Sequence, residues 1–196
     1  MARIPLGARA IVVDNGSVDG SADIARDLGA EVVYCPARGY GAACHAGLLA
    51  ASADLIAFCD CDGSLDPGAA LPMAERVIAG ADLVVSRRCP TGRAAWSLAA
   101  RLANRELARR VHRRTGVALD DVGPLRVASR VGLLSLGLTD RRSGYPVETI
   151  VAAARAGWHI EQFDVDYTPR IGRSKVSGTL RGSLQAVRDM SGVLAQ

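Results

Sequence analysis

Two aspartates separated by a single residue are the most prominent chemical feature of the sequence. Asp60 and Asp62 lie in the segment FCDCDGS (58–64), directly after an apolar run. Hard oxygen ligands at positions i and i+2 beside a turn suit Mg²⁺ or Mn²⁺ that bridges a diphosphate. The alternative is a polar turn in which both carboxylates cap the helix that starts near Pro67 or face solvent. Cys61, between the aspartates, is small enough to be tolerated in either case.

A third carboxylate, Asp14, ends another apolar run, ARAIVVD (8–14), and is followed by Asn15 and Gly16. At a strand end it could accept a hydrogen bond from a nucleobase imide. Ser17 and Asp19, further on, are better interpreted as helix caps. The segment RGYGAA (38–43) then places Arg38, Gly39 and Gly41 at the start of a helix, where backbone amides could contact phosphate.

The elements that carry these residues alternate between strand and helix. We predict strands over 8–14, 31–34, 54–58 and 82–86, and helices over 21–28, 40–51 and 67–79. This alternation is typical of a parallel α/β sheet with helices on both faces, in which ligands bind at the carboxyl ends of the strands. Asp14, Asp60 and Asp62 are therefore expected in one cleft.

The second half of the chain is less regular. It predicts a basic helix over 94–114, a short strand over 124–127, a helix over 146–156, a strand over 159–167, a polar loop over 170–179 and a closing helix over 180–194. No linker divides the 196 residues, a length that suits one domain. We expect residues 1–90 to bind the donor and 91–196 to bind the acceptor.

The predicted helix 94–114 carries Arg101, Arg105, Arg109 and Arg113 at a spacing of four. The face is either solvated or lies against anionic lipid headgroups or a phosphate-bearing acceptor. Nucleic acid is not expected as a partner, because aromatic residues make up only 4% of the chain and no nucleic-acid-binding motif is found.

The bulk composition favours a cytoplasmic protein that could associate peripherally with the inner face of the membrane. There is no run of 18 apolar residues and no apolar stretch at the N-terminus that would resemble a signal peptide. The five cysteines show no CxxC pair, so we expect reduced thiols rather than a zinc site.

Six segments in the same order resemble the family 2 glycosyltransferases, particularly the branch of polyprenyl-phosphate (dolichol-phosphate) mannosyl- and glucosyltransferases. They are VVDNGSVDGS (12–21), RGYGAA (38–43), CDCDGS (59–64), GADLVVSRR (80–88), DVGPLRV (121–127) and RIGRSKVSG (170–178). The resemblance implies a GT-A fold, a Rossmann-like three-layer sandwich with a mostly parallel sheet.

The resemblance also implies roles for individual residues. Asp14 would recognise the donor base, and Asp60 and Asp62 would hold the metal and the donor. Asn15, Gly16, Arg38, Gly39, Gly41, Cys61 and Arg87 would complete the donor site. Arg126, Arg173 and Lys175 would hold the donor diphosphate and an acceptor phosphate, and Glu148 would lie near the acceptor.

The implied activity is inverting transfer of a hexose from a nucleotide-diphosphate sugar, of the UDP-glucose or GDP-mannose class, in bacterial cell-envelope synthesis. The expected acceptor is a polyprenyl phosphate; an alcohol would instead need a base such as Glu148 or Asp121. A nucleotidyltransferase is less favoured because no Gly-rich basic loop follows the first strand.

A degenerate donor-binding protein without activity stays open as an alternative. The family usually opens with a strand that ends in a Pro-x-x-Asn-Glu type segment, and we find no such strand before residues 8–14. We therefore expect an open sheet edge, which a homodimer could cover.

Overall fold

The computed structural model describes residues 4–92, 95–172 and 180–195. Its first half contains β1 (Ile11–Asp14), α1 (Ser21–Asp27), β2 (Glu31–Tyr34), α2 (Tyr40–Ala50), β3 (Leu55–Phe58), a 3₁₀ turn (Pro67–Ala69), α3 (Ala70–Ile78) and β4 (Leu83–Pro90). Its second half contains α4 (Leu98–Thr115), β5 (Arg126–Ser129), α5 (Arg130–Ser135), α6 (Tyr145–Arg155), β6 (Ile160–Tyr167) and α7 (Leu180–Ala195).

The strands form two sheets rather than the single parallel sheet expected. β1 and β2 pair in parallel, and the other four lie in the order β3-β5-β4-β6. Within the described ranges, β1 pairs only with β2 and β3 only with β5, so each sheet presents an edge without a strand partner.

β5 is antiparallel to both β3 and β4, whereas β4 and β6 are parallel. The reversal follows from where the chain enters β5. Asp121, five residues before the strand, makes an ion pair with Arg88 at the carboxyl end of β4, at 2.7 Å. The chain is thereby held at the carboxyl edge and must run into the sheet from there.

β4 shows why the four-stranded sheet needs helices on both faces. Its side chains alternate between the two faces, as in any strand. Leu83 and Val85 join a core cluster with residues of α2, α4 and α6, whereas Val84 joins a second cluster with α3. All three side chains are fully buried, and the result is a three-layer sandwich.

Helix α2 packs against β1 on one side and against α6 on the other. Its first turn approaches the loop before α6 very closely. A Cβ on Gly41 would lie 2.6 Å from the carbonyl oxygen of Asp140, and one on Gly39 would lie 2.1 Å from that of Arg141. Only glycine permits this approach.

No helix in the described part of the chain is both long and apolar enough to cross a bilayer. Helix α4, predicted over 94–114, begins at Leu98, where Ser97 caps it by accepting a hydrogen bond from the Ala100 amide at 3.3 Å.

Candidate active site

Asp60 and Asp62 lie in the turn that follows β3, at the carboxyl edge of the larger sheet. Burial raises the pKa of Asp60, and the nearby charge of Asp62 raises it further. The charge of Arg126 and a hydrogen bond with the Tyr40 hydroxyl act in the opposite direction. Asp60 is thus a half-buried carboxylate whose ionised form would be stabilised further by a bound cation.

Asp62 is held by its own turn and by one cation. One carboxylate oxygen accepts a hydrogen bond from the Ser64 amide at 3.0 Å, and the other lies 3.1 Å from a guanidinium nitrogen of Arg170. The Arg170 side chain is about one-third exposed. Arg170 therefore neutralises the charge of Asp62. Because its side chain is exposed, a divalent cation could displace it from the carboxylate.

The segment after β6 lies along this aspartate turn. The Thr168 amide donates to the Ser64 carbonyl at 2.9 Å, and the Ile171 amide donates to the Asp62 carbonyl at 2.7 Å. These bonds fix the start of the basic loop beside the two carboxylates. Arg173 and Lys175, further along that loop, lie outside the described residues.

Arg126, the first residue of β5, is a buried cation beside Asp60. Its side chain is 1% exposed, one terminal nitrogen donates to the Tyr40 hydroxyl at 3.2 Å, and the guanidinium lies 5.3 Å from the centre of the Phe58 ring. Its Nε and Nη1 atoms have no hydrogen-bond partner among the residues that the structure describes. Buried donors are almost always paired, so these two atoms are able to bind an anionic group of a substrate.

Asp14 lies at the carboxyl end of β1, in the smaller sheet. One of its oxygens accepts a hydrogen bond from the Ser17 amide at 2.8 Å, and this bond lowers the pKa of Asp14. It is therefore an ionised acceptor near neutral pH. Helix α2 links it to the other groups, since Asn15 bonds to the Gly39 amide and Tyr40 bonds to Arg126.

The edge thus combines a pair of carboxylates with a buried guanidinium and a separate anionic acceptor. The described residues contain no group of three or more side chains suited to a metal. Two carboxylates alone suit a cation that takes its remaining ligands from a diphosphate and water.

Comparison with known proteins identifies the family. Residues 5–134, about two-thirds of the chain, match the model of the family described as glycosyl transferase family 2. The chain belongs to glycosyltransferase family 2. It is accordingly an enzyme of the glycosyltransferase class, and the predicted α/β GT-A fold is confirmed.

Three similar proteins frame its function. An uncharacterized glycosyltransferase of Mycobacterium tuberculosis is 46% identical over 196 residues, which cover 100% of this chain and 90% of the relative. A dolichyl-phosphate hexose transferase of Haloferax volcanii is 29% identical over 175 residues, 89% of this chain and 76% of the relative. The crystal structure of glucosyl-3-phosphoglycerate synthase of M. tuberculosis with Mn²⁺ and UDP-glucose has a TM-score of 0.69 at 26% identity, covering 94% of this chain and 66% of the synthase chain.

Several predicted donor residues of this family 2 glycosyltransferase have hydrogen-bond partners within the protein. Asn15 is used internally, donating to the carbonyls of Cys35 and Ala37 and accepting from the Gly39 amide. The Gly41 amide donates to the Arg142 carbonyl at 2.9 Å. The amides of Gly39 and Gly41 are therefore paired within the protein, and both glycines permit close packing. The contacts of Asn15, Gly39 and Gly41 with a donor stay predictions.

Arg87 is also engaged elsewhere. Its guanidinium makes two hydrogen bonds of 2.5 Å to Asp164 on the neighbouring strand β6 and one of 3.0 Å to Asp120. The hydrogen bond from Arg87 lowers the pKa of Asp164. Arg87 is thus paired with two carboxylates in the ligand-free structure, and its contact with a donor stays a prediction.

Neither carboxylate considered as a base is free. Glu148 accepts three hydrogen bonds, from the Thr139 amide and hydroxyl and from the Asp140 amide, at 2.8–2.9 Å. Asp121 is 2% exposed and accepts from the Arg88 backbone and side chain. Both carboxylates accept hydrogen bonds that stabilise the described structure, and the place of Glu148 near the acceptor stays a prediction.

The side chains of the remaining predicted donor residues have no hydrogen bond to another residue that the structure describes. Arg38 is exposed, with its guanidinium next to the backbone of Gly16, which has a positive φ of 82°. Cys61 is an exposed free thiol between the two aspartates. Their contacts with a donor stay predictions.

Sequence reasoning overlooked Tyr40 and Arg170. Tyr40 lies between the two glycines of RGYGAA and supplies the hydroxyl that Arg126 contacts. In a chain with only 4% aromatic residues, an aromatic side chain inside a glycine motif was a usable signal. Arg170 opens the basic loop, but nothing in the sequence showed that it would pair with Asp62.

Proposed function

We propose that this enzyme transfers a hexose from a nucleotide-diphosphate sugar to a polyprenyl phosphate, with inversion at the anomeric carbon and with Mg²⁺ or Mn²⁺ held by Asp60 and Asp62. The observation that carries the proposal is the buried Arg126 guanidinium beside the aspartate turn, two of whose nitrogens have no hydrogen-bond partner among the described residues. The donor contacts come from residues 1–90 and the acceptor contacts from residues 91–196.

The two aspartates fit a divalent cation in their chemistry. Both present carboxylate oxygens, the ligands that Mg²⁺ and Mn²⁺ prefer, and burial of Asp60 leaves a charge that a cation would compensate. When bound, the ion supplies Lewis-acid stabilisation of the negative charge that develops on the departing nucleoside diphosphate. The synthase structures of M. tuberculosis, which were solved with Mn²⁺ and UDP-glucose, support this choice of ion and of donor.

Arg126 would hold a phosphate oxygen through Nε and Nη1, a bidentate contact that guanidinium geometry favours. Tyr40 would fix its orientation through the third nitrogen. When the cation binds Asp62, the Arg170 guanidinium would leave that carboxylate and pair with the leaving diphosphate. Arg173 and Lys175 follow on the same loop and are proposed to add further positive charge around the two phosphates.

An anionic acceptor agrees with the lack of a free base. The attacking phosphate oxygen forms a bond to the anomeric carbon while the bond from that carbon to the diphosphate oxygen breaks, and no proton needs to move. Glu148 and Asp121, the carboxylates that could have deprotonated an alcohol, are both used in loop hydrogen bonds. The similarity to a dolichyl-phosphate hexose transferase supports the same acceptor class.

A phosphorylated hydroxy acid is the second candidate acceptor. The M. tuberculosis synthase was also solved with Mn²⁺, UDP and phosphoglyceric acid, and that structure has a TM-score of 0.72 at 25% identity over 98% of this chain and 70% of the synthase. Its phosphate could occupy the same contacts at Arg126. An alcohol as nucleophile would, however, require a base that we do not find among the described residues.

A transfer assay separates these acceptors. The enzyme is incubated with Mn²⁺ and radiolabelled UDP-glucose or GDP-mannose, and either a short-chain polyprenyl phosphate or 3-phosphoglycerate is added. We expect label in the lipid product and none with Asp62→Asn. If only phosphoglycerate became labelled, the acceptor would be a phosphorylated hydroxy acid and not a polyprenyl phosphate. Transfer to neither acceptor would refute the proposal.

A further inference from the structure

Helix α4 carries more positive charge than the whole protein. It contains six arginines and one glutamate, a net charge of +5, whereas the complete chain has a net charge of +4. The rest of the molecule is therefore slightly acidic, and its positive field is concentrated on this single helix.

The helix also exposes two large apolar side chains. Leu98 is 70% exposed and Leu102 58% exposed, although both belong to a helix whose inner face packs on α6 and α7. The inward residues include Ala108 and Val111, which are buried. Leucines on the opposite side from this packed face contribute nothing to the core.

Leucines and arginines share one stripe of the outer face. Leu98, Leu102, Arg105, Arg109 and Arg113 follow one another at intervals of three or four residues, which places them on one side of the helix. The side chains of Arg109 and Arg113 are 61% and 68% exposed. Apolar side chains at one end of a stripe and cationic ones along it are typical of a helix that lies in a membrane interface.

The apolar end of the stripe lies at the carboxyl edge of the sheet, where the active site is. Arg88, near the carboxyl end of β4, stacks on Trp96 with its guanidinium 3.9 Å from the ring centre. Trp96 immediately precedes the cap of α4, so Leu98 and Leu102 start from that edge. A lipid-linked acceptor in a bilayer beneath these leucines would have its phosphate at the same edge of the protein as Arg126.

We infer that the outer face of α4, defined by Leu98, Arg101, Leu102, Arg105, Arg109 and Arg113, docks on an anionic lipid bilayer. The leucines insert among the headgroups, and the arginines pair with lipid phosphates while their aliphatic stems lie along the apolar boundary. The choice of a bilayer rests on the proposed polyprenyl phosphate acceptor, because a water-soluble acceptor would give the surface no purpose.

The test is a flotation assay of the full chain with two kinds of vesicle, pure phosphatidylcholine and phosphatidylcholine with phosphatidylglycerol. We expect binding only to the anionic vesicles, with loss near 1 M salt, where the Debye length shortens to about 3 Å. Arg101→Gln with Arg105→Gln should weaken binding roughly 25-fold, about fivefold for each arginine removed. Leu98→Gln with Leu102→Gln should weaken it by about tenfold or more.

Matched controls are available on other helices. Leu71 and Ile78 of α3 are 54% and 77% exposed, and their double glutamine variant removes an equal number of exposed apolar side chains. Arg76 and Arg155 are exposed arginines outside α4 and give the matching charge control. Both control variants should bind like the wild type, and thermal unfolding should show all four variants to be folded.

Three results would overturn the inference: equal binding to neutral and anionic vesicles, equal loss in the α3 controls, or binding of RNA by this helix without binding of vesicles. Transfer to a short, water-dispersed polyprenyl phosphate is measured in parallel. Transfer without vesicle binding refutes only the docking surface, whereas vesicle binding without transfer to any polyprenyl phosphate refutes only the proposed acceptor.

Discussion

Replacing Arg126 by methionine should make the ligand-free protein more stable and at the same time inactive. Arg126 is 1% exposed, and no carboxylate oxygen of the described residues lies within the 4.0 Å of an ion pair. Desolvating a charge costs several kcal/mol even after the protein relaxes. Each of the two unpaired N–H groups, Nε and Nη1, adds about 1–3 kcal/mol.

The favourable interactions of Arg126 offset only part of this. Its hydrogen bond to Tyr40 contributes about 1.5–3 kcal/mol, and its contact with the Phe58 ring contributes about 1–2 kcal/mol. Methionine has a similar length and no polar hydrogen. Since hydrophobic replacement of buried charges is neutral or stabilising by about 1–4 kcal/mol, we expect a gain of about 1–3 kcal/mol. For a chain of this size, that raises the melting temperature by about 2–12 °C.

Arg88→Met is the matched control, because Arg88 also lies beside aromatic rings but is only half-buried and has a buried partner in Asp121. Its loss would leave the Asp121 carboxylate, which is 2% exposed, without a counter-charge. That should destabilise the protein by about 3–5 kcal/mol. The two substitutions are chemically identical and are expected to have opposite signs.

The assay is thermal and denaturant-induced unfolding of both variants without ligand, together with the transfer assay. Arg126→Met should lower kcat/KM by about a hundredfold or more, as expected for losing a charged contact to developing phosphate charge. If Arg126→Met destabilised the protein as much as Arg88→Met does, Arg126 would be a structural residue, and our interpretation of its unpaired nitrogens would be wrong.

Three further predictions test the site. Burial raises the pKa of Asp60, and Mn²⁺ binds the ionised carboxylate, so protonation should weaken Mn²⁺ binding at a higher pH than it would at a site with an ordinary aspartate. Calorimetry at several pH values measures this, and an Mn²⁺ affinity independent of pH down to about pH 4 would contradict it. Glu148→Gln should keep turnover within about tenfold while reducing stability by about 1–3 kcal/mol, whereas an essential base would lose far more activity. Gly41→Ala should destabilise the protein by about 1–3 kcal/mol or more, because the added Cβ would meet the Asp140 carbonyl. Gly192→Ala has open space around its Cβ and should be neutral or stabilising by up to about 1 kcal/mol. Thermal unfolding of both variants measures the difference.

The features that the sequence could predict are those that depend on residues close together along the chain. Apolar runs that end in Asp14 and in Asp60 place both residues at strand ends, and the strand–helix alternation indicates α/β architecture. These inferences depend on neighbouring residues only. The same is true of the predicted bounds of β2, which match the observed Glu31–Tyr34.

What it could not predict depends on partners far along the chain. Arg87 forms an ion pair with Asp164, 77 residues later, and Asp121 forms one with Arg88, 33 residues earlier. A charged residue in a motif looks the same whether it faces a substrate or an ion-pair partner. The direction of β5 depended in the same way on the anchoring of Asp121.

The unpaired charges of the site also imply that its two ligands help each other to bind. Arg126 is buried and Asp60 is half-buried, and their opposite charges attract without forming an ion pair within the described structure. A cation at the aspartates compensates Asp60 but repels Arg126, and a phosphate compensates Arg126 but repels Asp60. Bound together, cation and phosphate neutralise each other as well as the protein groups, so each repulsion disappears. Nucleotide affinity should therefore rise when Mn²⁺ is present, and by linkage Mn²⁺ affinity should rise by the same factor when nucleotide is present.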